Sequence, residues 1–212
     1  MAGGTCVLID YESGNLHSAE KAFRRMADET TGAAVAVTSD PEAVRAAERI
    51  VLPGDGAFPA CMAALRARTG LFEAMVEKVE GGTPFLGICV GMQLMATRGH
   101  EHGTTDGLGW IDAEVRMIPA EGLRVPHMGW NDLVIERPHP VTEGIESGDH
   151  AYFVHSYAME MDVEDERIAH ADYGGPVTAI VANGNAVGAQ FHPEKSQTAG
   201  LRLIANFLNW RP

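Results

Sequence analysis

Gly87-Ile88-Cys89-Val90-Gly91-Met92-Gln93 follows an apolar run and precedes a helical pattern. A G-x-C-x-G stretch in that setting has the form of a nucleophile elbow, in which small flanking residues permit a strained strand-to-helix turn that lifts one side chain out of a sheet. The lifted side chain here is the thiol of Cys89. An elbow needs a strand beneath it, and the preceding sequence supplies a series of them. The patterning predicts strands over 5–10, 33–38, 49–52 and 84–88, separated by amphipathic helices over 16–26, 41–47, 57–66 and 71–79. Asp40 and Pro41 form an N-cap and first helical position, and Pro53-Gly54-Asp55-Gly56 reads as a turn.

Alternation of strand and helix implies an α/β fold with parallel strands and helices on both faces, in three layers. The second half changes character. Residues 110–118, 132–135, 152–159, 167–171, 177–181 and 186–191 read as strands with little helix between them, so an antiparallel extension of a mostly parallel open sheet is expected. An amphipathic helix over 198–210 closes the chain. With no linker, repeat or low-complexity stretch, the 212 residues are read as one domain, 1–212. The acidic cluster over 160–166 is read as a solvated turn.

The 16 Lys and Arg against 29 Asp and Glu give a net charge of −13, which argues against a nucleic-acid partner and against anionic membranes. No transmembrane or signal segment is read, and a cytoplasmic location is expected. The cysteines, at positions 6, 61 and 89, form neither a disulfide framework nor a C-x-x-C zinc site. Cys6 and Cys61 are expected to be buried packing residues. The run His100-Glu101-His102 looks like a chelate, but adjacent side chains do not easily converge on one ion. Neither a metal nor a cofactor is called for.

A thiol attacks a carbonyl as thiolate, and a following helix N-terminus and a nearby imidazole both favour that form. The candidate base is His192, in Phe191-His192-Pro193-Glu194. Pro193 disfavours helical geometry at His192, so Glu194, two residues on, can share its face, orient the ring and stabilise the imidazolium. Cys89, His192 and Glu194 then make a triad for covalent acyl transfer. Oxyanion charge needs backbone donors: Val90 N–H is one candidate, and the turn at Gly54 and Asp55 is the best source of a second. Gln93, one helical turn beyond Cys89, is placed to hydrogen-bond a polar substrate.

The elbow with Met92-Gln93, together with Phe191-His192-Pro193-Glu194, resembles the class I, triad-type glutamine amidotransferases. Three further segments, Pro126-His127-Met128-Gly129-Trp130-Asn131, Tyr152-Phe153-Val154-His155-Ser156-Tyr157 and Lys195-Ser196, resemble the glutaminase subunits of imidazole glycerol phosphate synthases. The resemblance runs from Gly14-Asn15-Leu16 to the last helix and implies a sheet of flavodoxin-like form. It implies that Cys89 releases ammonia from glutamine through a thioester. Gly56, Gln93, Glu101, His155, Ser156 and Tyr157 would line the glutamine site, with Glu101 a partner of the substrate ammonium. A separate (β/α)8 cyclase subunit, paired in a heterodimer, would receive the ammonia in histidine biosynthesis. Trp130, Tyr152, Lys195 and Asn15 match interface or gating positions, and the turn after Pro53 matches a gate of the oxyanion hole. Asp55 stands where relatives often carry an uncharged residue, so its carboxylate is expected to face away from the thiolate or toward the interface. Glutaminases serving anthranilate or guanylate enzymes, a non-catalytic amidotransferase-like binder and a cysteine peptidase or thiol stress protein are the competing readings.

Overall fold

The protein is described by a computed structural model over residues 3–119, 122–161 and 166–212. In chain order the elements are β1 (Gly3–Ile9), α1 (Leu16–Thr30), β2 (Ala33–Thr38), α2 (Pro41–Ala46), β3 (Arg49–Gly54), α3 (Phe58–Ala67), α4 (Leu71–Glu80), β4 (Phe85–Cys89) and α5 (Val90–Gln93). Then come β5 (Ala96–Gly99), β6 (Thr105–Asp106), β7 (Ile111–Met117), β8 (His127–Asp132), β9 (Val134–Ile135), β10 (His150–His155), β11 (Tyr157–Met161), β12 (Arg167–Asp172), β13 (Pro176–Asn183), β14 (Ala186–Ala189) and α6 (Gln197–Asn209).

The main sheet has eight strands in the order β2-β1-β3-β4-β14-β13-β12-β9. The run from β2 to β14 is parallel, and β13, β12 and β9 add to it antiparallel. Every residue of β3 and β4 is buried, as expected of central strands covered on both faces. Right-handed crossovers require the chain to place α1 on one face, where it packs on α6, and α2, α3 and α4 on the other. The spacing of Ala19, Ala22, Phe23, Met26 and Ala27 gives α1 one apolar face, and that face is the buried one.

Three differences from the sequence reading matter. First, the helix expected after the elbow is a single turn, α5, after which the chain runs into β5. Residues 90–95 are all buried, and a run buried on every side carries no periodicity from which a helix length can be read. Second, the stretch 152–159 is two strands that part at Ser156 and join different sheets, β10 pairing with β8 and β11 with β7. Third, only part of the second half extends the main sheet. Strands β11-β7-β5-β6 form a four-stranded sheet and β10-β8 a two-stranded one. Of the acidic cluster, 162–165 lie outside the described residues. Its ends are engaged: Glu160 lies 3.6 Å from Arg116, and Glu166 accepts from Asp112 N at 3.0 Å.

The C-terminus of α6 is closed from the sheet. Arg49, at the start of β3 and only 2% exposed, donates from Nε to Phe207 O at 3.2 Å and from Nη2 to Trp210 O at 2.9 Å. A cation is favourable at this end of a helix dipole, and it satisfies carbonyls that the helix leaves unpaired. Arg49→Met should therefore lower the unfolding free energy by about 2–4 kcal/mol, read as a shifted denaturant midpoint at unchanged slope. A midpoint equal to wild type would contradict this account of α6.

Candidate active site

Strand β4 carries the thiol to the C-terminal edge of the sheet, where open α/β sheets place their ligands. Cys89 has φ 54° and ψ −114°, a conformation that L-residues rarely adopt. The elbow is this sharp because its glycines let two chain segments nearly touch. A Cβ on Gly87 would come within 2.5 Å of Gly91 O, and one on Gly91 would collide with the carbonyl oxygen of Leu52 on neighbouring β3.

Parallel pairing of β14 with β4 puts Ala189 beside Ile88, so the residues after Ala189 arrive at the thiol. Gln190 Nε2 lies 3.7 Å from Cys89 Sγ, and His192 follows, its Nδ1 2.9 Å from Glu194 Oε1. Both side chains of that pair are nearly solvent-free. Burial opposes charge on the His192 ring, but hydrogen bonds to Cys89 and Glu194 outweigh it and raise the pKa from 6.5 to about 9. The ring is held by its backbone as well. His192 N donates to Tyr152 O at 3.0 Å, Ser196 Oγ donates to His192 O at 2.7 Å, and Tyr152 N donates to Ser196 Oγ at 2.9 Å.

Register between β3 and β4 pairs Gly54 with Cys89, which delivers the Gly54-Asp55-Gly56 turn to the same edge. Val90 N–H, at the first position of α5, belongs to the donors that a helix leaves without an internal acceptor. The second expected donor is engaged elsewhere: Asp55 N donates to Ser13 Oγ at 3.1 Å, and the same hydroxyl donates to Asp55 O at 2.7 Å. Cys61 Sγ adds a contact to each, at 3.3 Å to Ser13 Oγ and 3.5 Å to Asp55 O, so this cysteine touches the turn rather than only filling the core. Asp55 itself is exposed. Tyr11, in the segment after β1, is fully buried, and its hydroxyl would lie 2.9 Å from a Cβ on Gly54.

A cleft of about 240 Å³ opens beside the thiol, lined by Asp55, Gly56, Cys89, Val90, Gln93, Glu101, His155, Ser156 and Tyr157 among others. All six residues expected at the glutamine site thus border one cavity. Three of their side chains are already partnered, that of His155 by His127 Nδ1 at 3.0 Å and by Tyr157 O at 2.9 Å. Gln93 Nε2 donates to Tyr157 O at 2.8 Å and to Gln190 Oε1 at 3.0 Å, which leaves Oε1 as the atom it can offer a ligand. Glu101 Oε2 accepts from Phe58 N at 2.8 Å, capping α3 while bordering the cleft. Of the run around Glu101, His100 turns to Glu114 at 2.8 Å, and the exposed His102 has its Nε2 4.0 Å from Glu101 Oε1.

Trp130, Tyr152 and Lys195 come together, with the Trp130 and Tyr152 rings 5.9 Å apart and the Lys195 ammonium 5.8 Å from the Tyr152 ring. Asn15 caps α1, accepting from Ser18 N at 3.4 Å. Along β8, His127, Gly129 and Asn131 face inward, whereas Met128 and Trp130 face out, 62% and 48% exposed. Gln190, Ser13 and Tyr11 escaped the sequence reading, because their places depend on strand register and on a loop fold that no local pattern announces.

The family model of class-I glutamine amidotransferases matches residues 7–210. The imidazole glycerol phosphate synthase subunit HisH of Ruegeria pomeroyi is 64% identical over 97% of this chain and 98% of its own. That of Caulobacter vibrioides is 52% identical over 98% and 99%. Among solved structures, a chain of PurLQS from Thermotoga maritima superposes with a TM-score of 0.74 at 19% identity, covering 98% of each chain. A Cys-His-Glu site on this sheet, and a family match that spans nearly all of it, lead to one conclusion: the chain belongs to the class-I glutamine amidotransferases.

Proposed function

We propose that this chain is the glutaminase subunit of a cytoplasmic imidazole glycerol phosphate synthase. It acts as a single domain, 1–212, that hydrolyses glutamine and passes the ammonia to a separate (β/α)8 cyclase subunit in a heterodimer of histidine biosynthesis. The observation that carries the chemistry is the buried His192–Glu194 pair, at 2.9 Å, set beside a thiol held on a strained elbow. The names and near-complete coverage of the relatives support the choice of synthase.

In this reading the thiolate of Cys89 attacks the side-chain carbonyl carbon of glutamine, and the imidazolium of His192 gives its proton to the departing nitrogen, so ammonia leaves. His192 then takes a proton from water, whose oxygen attacks the thioester, and glutamate departs as the thiolate re-forms. Glu194 holds the ring for both transfers. Glu101 meets the substrate ammonium, and Gly56, Gln93, His155, Ser156 and Tyr157 complete the cleft. The outward face of β8 with Trp130, beside Tyr152 and Lys195, is the docking surface for the cyclase, and Asn15 lies at the gate.

The gate follows from Ser13. With Asp55 N–H held by the serine, the resting turn offers the oxyanion one donor, Val90 N–H, rather than two. Docking of the cyclase with its acceptor is proposed to turn the Asp55 peptide. One oxyanion donor is worth roughly 10²–10³ in turnover, so glutamine hydrolysis by the purified chain should rise by about that factor when cyclase and ribotide acceptor are added, and should vanish in Cys89→Ala. Hydrolysis without stimulation would keep the glutaminase and overturn the choice of synthase; no hydrolysis in either state would favour a non-catalytic binder. Ser13→Ala removes two hydrogen bonds of about 1 kcal/mol each and should raise the activity of the chain alone roughly thirtyfold. Unchanged basal activity in that variant would contradict the gate.

The sign of the His192 effect is also testable. Its folded-state pKa of about 9 lies above the ordinary 6.5, so its charged pairing stabilises the fold fully below about pH 6.5, and that contribution fades as pH rises through 9. Histidine NMR should give His192 a midpoint near 9 that falls in both Cys89→Ala and Glu194→Gln. A midpoint unmoved by either substitution would contradict the triad.

A further inference from the structure

Behind the cleft runs a chain of hydrogen bonds whose direction is fixed at both ends. Asn131, on β8, accepts from Asp132 N at Oδ1, 2.8 Å away, and donates from Nδ2 to Asp172 O at 2.9 Å. Since a backbone N–H only donates and a carbonyl only accepts, the orientation of this amide is settled. The same Nδ2 lies 3.2 Å from His127 Nε2, which must therefore be the bare, accepting nitrogen. The proton of a neutral His127 then sits on Nδ1, 3.0 Å from His155 Nε2, which in turn must accept. That leaves the His155 proton on Nδ1, 2.9 Å from Tyr157 O. Starting instead from the Tyr157 carbonyl, an obligate acceptor, gives the same assignment.

The two rings are buried, at 3% and 6% exposure, and His127 is stacked on Tyr173 at 4.0 Å and on Phe153 at 4.8 Å. Desolvation depresses both pKa values to about 4, in keeping with neutral rings. The chain ends on a carbonyl that Gln93 also holds, at the point where Ser156 and Tyr157 enter the cleft.

We propose that Asn131 and His127 are positioning residues for the substrate: through His155 they fix the Tyr157 carbonyl and so the Ser156–Tyr157 rim against which glutamine binds. This rests on the glutaminase reading above, but the proton order within the chain does not. The obligatory order is Asn131 to His127 to His155 to Tyr157, with both histidines as Nδ1–H tautomers.

The test pairs a spectroscopic readout with a kinetic one. In ¹⁵N-histidine spectra of the full chain at neutral pH, both rings should show a protonated Nδ1 and a bare Nε2; a protonated Nε2 on either ring, or an imidazolium, would overturn the proposal. Asn131→Asp leaves a group that only accepts, so His127 Nε2 must carry a proton, either as the Nε2–H form, which sets two bare nitrogens face to face, or as an imidazolium, which brings a charge into the buried chain; the ¹⁵N spectrum of the variant tells the two apart. In the complex with the cyclase subunit this variant should raise KM for glutamine about tenfold, the equivalent of one hydrogen bond, while kcat stays within about twofold. His127→Phe, which keeps the stack and removes both bonds, should behave alike. An unchanged KM, or a fall confined to kcat, would overturn the positioning role. A wild-type complex that leaves glutamine intact would overturn the parent reading instead, and the tautomer spectra would still decide the proton order.

Discussion

A non-glycine residue at φ 54°, ψ −114° is the constraint on which this molecule's chemistry depends. Such a conformation costs of order 1–3 kcal/mol and persists only because its surroundings leave no alternative. Gly87 and Gly91 supply the room, Leu52 O on β3 sets the closest approach, and the central strands beneath are wholly buried. With the elbow held, the register of three parallel strands does the rest. β3 brings Gly54 opposite Cys89, and β14 brings Ala189 opposite Ile88, so the turn and the histidine segment arrive on either side of one thiol. The one-turn α5 is too short to carry much of a macrodipole; it contributes the N–H of Val90 at its first position, while the thiol's charged partner, His192, comes from the segment after β14.

Around that fixed point lie two polar assemblies of different kinds. The His192–Glu194 pair is buried, and an ionisable pair taken out of water is costly unless each member has its partner. The turn cluster of Ser13, Cys61 and Asp55 is neutral at its contacts, and its bonds are of ordinary strength. In the function proposed above, a rigid base and nucleophile beside an exchangeable oxyanion donor confine ammonia release to times when an acceptor is present. That division of stiffness follows from bond type, not from any difference in fold.

The sequence made some of this legible and hid the rest for physical reasons. Cys89 between glycines, and His192 and Glu194 separated by one proline, are local patterns whose geometry follows from backbone rules, and they could be read without a fold. The alternation that gave β1 to β4 was equally local. The length of α5 was not, because a fully buried run has no polar face to mark its end. Nor were the partition of the second half into three sheets or the parting of β10 from β11 at Ser156, which depend on long-range pairing. Gln190 and Ser13 reach the site only through strand register and loop packing. His127 looked like part of a family motif, and its connection to the cleft needed the β8–β10 pairing that sets it opposite His155.

The central claim is that Cys89 carries the glutamyl group. The most direct measurement is mass spectrometry of peptides from the acid-quenched complex turning over glutamine, which traps whatever acyl-enzyme has accumulated. A glutamyl adduct confined to the peptide bearing Cys89, and lost when Cys89 is replaced by Ala, is the result this account predicts. Hydrolysis of glutamine that continues in Cys89→Ala, or an adduct on Cys6 or Cys61 instead, would contradict it.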